Sequence, residues 1–164
     1  KLYIISNRLP VKVTGEAGAF VFSRSEGGLA TGLDSLNTAY EKHWIGWPEY
    51  GRKKEEQAEI GSQLEKLNFH PVFLTDSQIT NYYEGYSNST IWPLCHYFYV
   101  YTLYRNSFWQ AYQEVNRRFC EEICRLIQPD DKIWVQDYQL MLLPGMLREA
   151  MPHLCIGYFY HLPF

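Results

Sequence analysis

The sequence predicts an α/β fold: a Rossmann-like, mostly parallel sheet with helices on both faces. Short apolar runs typical of buried strands recur along the chain, and between them lie longer segments with apolar residues at helical spacing. Fully buried strands that alternate with amphipathic helices are typical of parallel sheets. The composition, 46% hydrophobic and 20% charged over 164 residues, is that of an ordinary globular domain.

The amino-terminal part predicts a strand, then a hairpin or loop, then a helix. Leu2 to Ser6 is an apolar run that ends at the turn-forming segment 7–10. The segment 11–26 has glycines among alternating residues and predicts either a hairpin or a mobile loop. Gly27 and Gly28 then precede segment 29–40, in which large apolar residues recur at spacings of three and four.

The next elements are a strand, a helix and a second strand. The strand 43–47 is stopped by Pro48, because proline cannot extend a central strand. The polar segment 53–67 predicts a helix with one apolar face. That face is made of Ile60, Leu64 and Leu67. The strand 70–74 follows.

The rest of the chain predicts three helices and two strands. Thr75 and Gln78 have the spacing of a capping box, so a helix should begin there and continue to Tyr83. The strongest helix covers 106–128, where one apolar face persists over several turns. A strand at 132–136, a helix at 140–150 and a strand at 155–160 complete the list.

Composition argues against several classes of partner. The formal net charge is -3, and basic residues form no cluster, so neither nucleic acid nor an acidic membrane is expected to bind. The apolar runs are far shorter than the ~20 residues of a membrane span. The four cysteines lack CxxC spacing and predict buried, reduced thiols in a cytoplasmic protein.

Four strand ends predict a ligand site. Ligands of open parallel sheets bind beyond the carboxyl ends of the strands. The residues expected there are Asn7-Arg8, Trp47-Pro48, Asp137-Tyr138 and His161-Leu162. A cation, an aromatic ring, a carboxylate and an imidazole at one edge suit a phosphorylated, hydroxyl-rich ligand.

Each candidate also has an ordinary structural explanation that the sequence leaves open. Arg8 fits an exposed, solvated arginine, and Asp137 fits a helix cap. His161 fits an edge histidine that bonds a backbone carbonyl. Tyr83 and Trp92 fit core packing as well as sugar stacking, as do many of the aromatic residues that make up 17% of the chain.

Gly27 and Gly28 have the outline of an anion-binding site. Free backbone N–H groups and the positive end of a helix dipole would meet a ligand there, without an obstructing Cβ. A glycine turn without a ligand explains the same two residues.

A series of short segments spans the chain from end to end. They are 6–11, 27–33, 44–47, 86–93, 96–97, 109–116, 134–144 and 156–164. In this order they resemble the amino-terminal domain of the trehalose-6-phosphate synthases, glycosyltransferase family 20. The resemblance implies a two-Rossmann-domain (GT-B) enzyme that transfers glucose from UDP-glucose to glucose 6-phosphate with retention, giving α,α-trehalose 6-phosphate. It implies no metal and no cofactor.

The resemblance also assigns the acceptor side. Arg8 would bind the phosphate of glucose 6-phosphate, and Tyr83 and Asp137 would hold the sugar, with Asp137 on its hydroxyls. Trp92 and Leu162 would shape the acceptor pocket so that one anomer fits.

On the donor side, the resemblance implies that Gly27 and Gly28 approach UDP-glucose through backbone amides. His161 would hydrogen-bond the transferred glucose, and Asp137 and His161 would be the catalytic side chains. Retention would proceed on one face of the sugar, with the leaving phosphate helping to take the acceptor's proton. No carboxylate nucleophile is then needed.

Some residues depart from the family pattern. Gln136 and Gln139 stand where the family often has histidine, which removes a titratable proton at each position. Leu162 replaces a more usual isoleucine, a volume-conserving change. A non-catalytic, sugar-phosphate-sensing member of the family is therefore an alternative function. A different glycosyltransferase on the same architecture is another.

The resemblance reaches only the first part of the family's length. Residues 1–164 are expected to form an incomplete acceptor-side domain without the donor domain, so the isolated chain should be inactive and self-associate through exposed apolar surface. Whether the parent forms a homo-oligomer, carries a phosphatase domain, prefers another donor nucleotide or closes segment 11–26 over a ligand stays open.

Overall fold

A computed structural model describes residues 1–25, 31–32, 35, 38–51 and 53–163. Its strands are β1 (Leu2–Arg8), β2 (Val11–Thr14), β3 (Val21–Arg24), β4 (Lys42–Trp47), β5 (Phe69–Pro71), β6 (Lys132–Gln136) and β7 (Cys155–Phe159). Its helices are α1 (Lys54–Glu65), α2 (Asp76–Gln78), a π-helix (Ile79–Ile91), α3 (Trp92–Cys95), α4 (Asn106–Leu126) and α5 (Leu143–Ala150), with 3-10 turns at Tyr99–Tyr101 and Tyr138–Leu140.

Five strands form one parallel sheet in the order β5-β4-β1-β6-β7. Every neighbouring pair in it runs parallel. The chain starts in the middle strand, builds outward to β5, and then crosses back to β6 on the other side of β1. The order therefore reverses between β1 and β6, and this switch point is where open α/β sheets bind ligands. The prediction of a mostly parallel sheet is confirmed.

The two faces of the sheet are covered by different elements. Side chains alternate across β1, so Ile4 packs on one face with Ile60 and Leu64 of α1. Ile5 packs on the other face in a larger cluster that includes residues of the π-helix, α4 and α5. Each large apolar side chain so buried contributes roughly 1.5–3 kcal/mol to stability. Helices on both faces are thus confirmed.

The segment 11–26 resolves into a hairpin over its described part. β2 and β3 pair antiparallel, from Val11 opposite Arg24 to Thr14 opposite Val21. Gly15 and Gly18, which have positive φ angles of 100° and 86°, lie in the connection, where glycine meets no Cβ penalty. Of the two alternatives that the sequence offered, the hairpin is correct.

The helix that begins after Thr75 is much longer than predicted. The capping box is present, with Thr75 Oγ1 accepting the Gln78 N–H at 3.2 Å and Gln78 Oε1 accepting the Thr75 N–H at 3.0 Å. The helix does not stop at Tyr83 but continues through the π-helix and α3 to Cys95. Close packing against α4 explains this extension. Gly85 lies so near the Phe108 ring of α4 that a Cβ at this position would come within 2.7 Å of it. Local propensity in this Asn/Ser/Gly-rich stretch gave no such signal.

Other boundaries differ at the ends of elements. α1 ends at Glu65, so Leu67 leaves the apolar face expected of it and is exposed. The chain turns at Asn68, whose φ is 60°, a value that asparagine tolerates. β5 stops at Pro71, and α5 starts at Leu143 rather than 140. Gly27, Gly28 and half of the residues of the predicted helix 29–40 lie outside the described residues.

The cysteines are all free, as predicted, but not all buried. Cys120 is buried on α4, Cys95 and Cys124 are only partly buried, and Cys155 is exposed on the edge strand β7. The expectation of buried thiols is therefore confirmed for Cys120 alone and is wrong for Cys155. An edge strand leaves one flank without a neighbour, which accounts for its exposure.

In the part of the chain that the structure describes, no helix is long and apolar enough to cross a membrane.

Candidate functional site

Three predicted site residues lie at the same edge of the sheet. Arg8 ends β1, Asp137 follows β6 directly, and His161 lies two residues beyond β7. Because these strands are parallel neighbours in the order β1-β6-β7, their carboxyl ends share one side of the sheet. The edge coincides with the switch point between β1 and β6.

Arg8 is held by two groups from other elements. Its Nη2 donates to the hydroxyl of Tyr83, and its Cζ lies 4.8 Å from the centroid of the Tyr83 ring. Its Nε lies 3.3 Å from Oε1 of Glu49, and both side chains are nearly half exposed. An exposed ion pair of this kind contributes only about 0–1 kcal/mol, so an anionic ligand can compete for the guanidinium. The simple account of a solvated arginine is therefore incomplete.

Tyr83 rests on a buried tryptophan. The ring of Trp47 meets that of Tyr83 edge-on, with centroids 5.8 Å apart. Trp47 is buried in the core cluster and is not presented at the edge, which corrects the expectation from its place at a strand end. Trp47 therefore supports the Tyr83 ring, and the Arg8 guanidinium packs against that ring.

Asp137 uses one carboxylate oxygen to join two strand ends. Its Oδ1 accepts the N–H of Tyr138 at 2.9 Å and the N–H of His161 at 3.2 Å. The first bond caps the short turn 138–140, so the capping explanation is correct as far as it goes. Among the described residues, none donates to Oδ2, which leaves that oxygen available to a ligand hydroxyl.

The backbone at Asp137 is strained. Its φ of 70° and ψ of 176° fall in a region that is essentially restricted to glycine, at a cost of order 1–3 kcal/mol. The strain is supported by a 2.7 Å bond from its N–H to the carbonyl of Phe159 and by a 3.0 Å bond from the Tyr158 hydroxyl to its own carbonyl. Strain of this kind concentrates at functional sites.

His161 is oriented by a buried glutamine. Its Nε2 lies 3.0 Å from Oε1 of Gln136, which is only 1% exposed. Because Oε1 can only accept, Nε2 donates the hydrogen bond. In a neutral imidazole with this tautomer, Nδ1 is the nitrogen that can accept from a ligand. The amide nitrogen of Gln136 has no partner among the described residues. The expectation that a backbone carbonyl would satisfy His161 is wrong.

Trp92 and Tyr138 extend the site toward the π-helix. Trp92 is 44% exposed, so it is not a core residue. The centroid of its ring lies 4.0 Å from that of His96 and 5.9 Å from that of Tyr138. The Tyr138 hydroxyl donates to Asn88 Oδ1 at 2.9 Å. Burial raises the pKa of Tyr138 to about 12, reinforced by Asp137 and opposed by Arg8. The hydroxyl is therefore neutral at physiological pH.

Two further residues shape the edge, and the sequence places both at strand ends without assigning them a ligand role. Asn7 is buried and accepts the hydroxyl of Tyr82 at 2.7 Å, which fixes the loop that carries Arg8. Tyr138 lies between the Arg8 side and the Trp92 side of the site. In the sequence, only their position next to Arg8 and Asp137 at the strand ends indicates a role for them.

The remaining predicted site residues are not at the surface of this edge or not described. Leu162 is buried in the same apolar cluster as Tyr138 and Leu140. Gly27 and Gly28 lie outside the described residues. In the described ranges, no group of three or more His, Cys, Asp or Glu side chains is placed to hold a metal ion.

A parallel α/β sheet with polar side chains gathered at its switch point is characteristic of Rossmann-type domains. The fold matches the amino-terminal domain of two-domain GT-B enzymes. Residues 1–164 match glycosyltransferase family 20, and the chain belongs to that family.

The relatives are trehalose-phosphate synthases. The chain is 41% identical over 170 residues to "Alpha,alpha-trehalose-phosphate synthase [UDP-forming]" of Emericella nidulans, covering 100% of this chain and 34% of that protein. A synthase from Burkholderia xenovorans, solved in complex with glucose-6-phosphate, superposes with a TM-score of 0.73 at 27% identity, covering 100% of this chain and 34% of the other. The Escherichia coli protein bound to UDP-2-fluoro glucose gives 0.74 at 27% identity, covering 99% and 33%. The chain thus spans about a third of the length of these relatives.

Proposed function

We propose that the protein containing these residues is an α,α-trehalose-phosphate synthase that transfers glucose from UDP-glucose to glucose 6-phosphate, and that residues 1–164 are its acceptor-side domain. The observation that carries the proposal is the placement of Arg8, Asp137 and His161 at one sheet edge. Relatives with similar sequences are UDP-forming synthases, and a related structure holds glucose-6-phosphate.

The acceptor phosphate belongs on Arg8. The guanidinium is a planar fork of donors that suits a phosphate, and the Tyr83 ring restrains it in one orientation. Glu49 pairs with the Nε side of the guanidinium. A phosphate would replace this carboxylate, since two anions cannot share one cation without repulsion.

The sugar of the acceptor lies between Asp137 and Trp92. Oδ2 of Asp137 accepts a sugar hydroxyl, and a hydrogen bond to a charged group of this kind contributes about 1.5–3 kcal/mol. The exposed Trp92 ring offers an apolar face to the C–H side of the pyranose. Leu162 supports this wall from the core and restricts which anomer fits.

The donor glucose lies on the His161 side. Nδ1 of His161 accepts a hydroxyl of the transferred sugar, and Gln136 holds the ring in that tautomer. Gly27 and Gly28 complete the donor contact through backbone N–H groups. The bond between the anomeric carbon and the phosphate oxygen breaks as the acceptor hydroxyl attacks on the same face. The hydroxyl proton goes to the leaving phosphate of UDP, so no protein nucleophile is required.

UDP release by the full-length protein tests the proposal. Release should require both UDP-glucose and glucose 6-phosphate, and Arg8→Ala should raise the KM for glucose 6-phosphate by about tenfold or more, the equivalent of one charge-assisted hydrogen bond. The same variant should discriminate much less between glucose 6-phosphate and glucose. Arg117→Ala, an exposed arginine on α4, is the matched control.

Two further results bear on the proposal. Glu49→Gln should lower the KM for glucose 6-phosphate, because it removes the competing carboxylate. The 164-residue polypeptide alone should transfer no glucose, since it spans a third of the relatives' length. A folded full-length protein that binds glucose 6-phosphate without releasing UDP would instead support a sensing role.

A further inference from the structure

A run of large apolar side chains faces solvent between α3 and α4. The segment 97–104, here called the aromatic loop, contains no charged residue. Its exposed members are Tyr97, Phe98, Tyr99, Val100, Tyr101, Leu103 and Tyr104. Val100 is 93% exposed and Tyr101 73% exposed. Single exposed apolar residues are common, but a contiguous uncharged run of this size marks an interaction surface.

The backbone of the aromatic loop is fixed from behind. The N–H of Phe98 donates to the carbonyl of Pro93 at 2.8 Å, and the N–H of Leu103 donates to that of Ser89 at 2.8 Å. Between them, the Tyr99–Tyr101 turn is closed by a 3.0 Å bond from the Tyr101 N–H to Phe98. The side chains therefore project from a preformed support, and docking would require little additional ordering.

The exposed area is sufficient for a stable dimer. Aromatic side chains bury ~150–250 Å² each, so the exposed fractions of these seven residues amount to roughly 800 Å². A standard protein interface buries about 800 Å² on each partner. Tyrosine and phenylalanine are also the residue types enriched at the centre of such interfaces.

The absence of charge favours a second copy of the same chain as the occupant. A two-fold symmetric interface places each surface patch against itself, so it must be self-complementary. An uncharged apolar patch meets this condition, whereas a patch with one sign of charge would repel its copy. A nucleic acid or a charged peptide would find no partner charge in the loop.

We propose that the aromatic loop is a homotypic interface through which two copies of this protein associate. It begins two residues after α3, the helix that starts at the proposed acceptor residue Trp92, so association would place the two acceptor edges near the dimer contact. The proposal concerns assembly and does not depend on the proposed transfer reaction.

Sedimentation velocity of the full-length protein over a range of concentrations tests the interface. The wild type should associate, and Val100→Asp should raise the dissociation constant by at least about tenfold, as expected when a charge enters a desolvated contact. Val21→Asp is the control, because it places the same charge on an exposed valine of β3, outside the aromatic loop. It should associate like the wild type.

The contrary results are distinct. A wild type that stays monomeric up to high micromolar concentration would overturn the proposal, as would equal association of the two variants. If the wild type is monomeric and Val100→Asp lowers the melting temperature far more than Val21→Asp, the loop is covered by another part of the same chain. Binding of the wild type, but not Val100→Asp, to zwitterionic vesicles would assign the loop to a lipid surface instead.

Discussion

The backbone N–H of His161 donates to the carboxylate of Asp137 across 3.2 Å, which ties the end of β7 to the end of β6. The same carboxylate oxygen caps the turn that follows β6. One side chain thus has a structural role through Oδ1 and, in our proposal, a ligand role through Oδ2. The two roles can be separated by substitution.

Substitutions of Asp137 should divide stability from acceptor use. Asp137→Asn keeps an oxygen that can accept both N–H groups, so its free energy of unfolding should stay within about 0.5 kcal/mol of wild type, whereas Asp137→Ala should lose about 1 kcal/mol with the cap. Asp137→Gly should be more stable than Asp137→Ala by about 1–3 kcal/mol, because glycine relieves the strained backbone. Urea unfolding measures these differences.

Turnover should follow a different order in the Asp137 series. All three variants should lower kcat/KM for glucose 6-phosphate by about 10- to 100-fold, the equivalent of a hydrogen bond to a charged group. Full kcat/KM in Asp137→Asn would contradict the ligand role. Equal stability of the Asn and Ala variants would contradict the structural one.

Gln136 should act through His161. Gln136→Leu removes the acceptor of the Nε2 proton, so kcat/KM for UDP-glucose should fall about five- to tenfold, with little change in KM for glucose 6-phosphate. Proton–nitrogen correlation spectra should show the His161 ring as a mixture of tautomers. Gln136→His, which can again accept that proton, should recover most of the loss. A single unchanged tautomer in Gln136→Leu would argue against a positioning role.

Gly46 should be intolerant of a side chain because it supports the Arg8 loop. A Cβ at this position would lie 2.7 Å from the carbonyl oxygen of Ser6 and 3.0 Å from backbone atoms of Arg8 and Leu9. Backbone atoms cannot yield as a flexible side chain can, so Gly46→Ala should cost roughly 1–3 kcal/mol and raise the KM for glucose 6-phosphate.

A glycine with open space around it provides the comparison. A Cβ at Gly145, on α5, would meet no atom within 4 Å, and Gly145→Ala should stabilise the helix by up to about 1 kcal/mol. Thermal unfolding of both variants and their acceptor KM values check the pair. Similar losses at the two positions would show that backbone contact at Gly46 is not the cause.

Stability should fall on mild acidification because of a histidine pair at the opposite end of the sheet. His43 Nδ1 lies 3.0 Å from His70 Nε2, and the rings stack with centroids 5.3 Å apart. Burial lowers the pKa of His70 to about 4, with His43 and Lys1 adding to the effect. Unfolded histidine has a pKa of ~6.5, so between these values the unfolded state binds more protons.

The contribution of His70 is therefore complete above pH ~6.5 and is lost as the pH falls to its folded pKa of about 4. At ~1.4 kcal/mol for each pKa unit, and because solvent screens the partly exposed ring, this loss is at most ~3 kcal/mol. His70→Gln keeps a hydrogen-bonding amide but has no group that titrates in this range, so it should flatten this part of the stability profile. His153→Gln, at an exposed position, should leave it unchanged. Parallel profiles for wild type and His70→Gln between pH 4 and pH 6.5 would refute the assignment.

The local elements could be predicted where pattern and packing agree. The sequence predicts strand 132–136 with its observed bounds, because its apolar residues and the preceding Asp130-Asp131 turn indicate the same limits. The stretch from 84 to 95 was missed because its Asn, Ser and Gly residues are poor helix formers, and contacts with α4 outweigh that preference. Leu67 was misplaced because periodicity carries no information on where a helix stops.

The sequence by itself determined the layered α/β fold, the family, and the strand ends on which Arg8, Asp137 and His161 lie, because hydrophobic periodicity and ordered motifs are written along the chain. Only the tertiary structure decided that β1, β6 and β7 are neighbours, that Gln136 orients His161, and that Trp47 is buried beneath Tyr83. These relations join residues far apart in sequence, and they depend on strand order and side-chain packing, which no local pattern specifies.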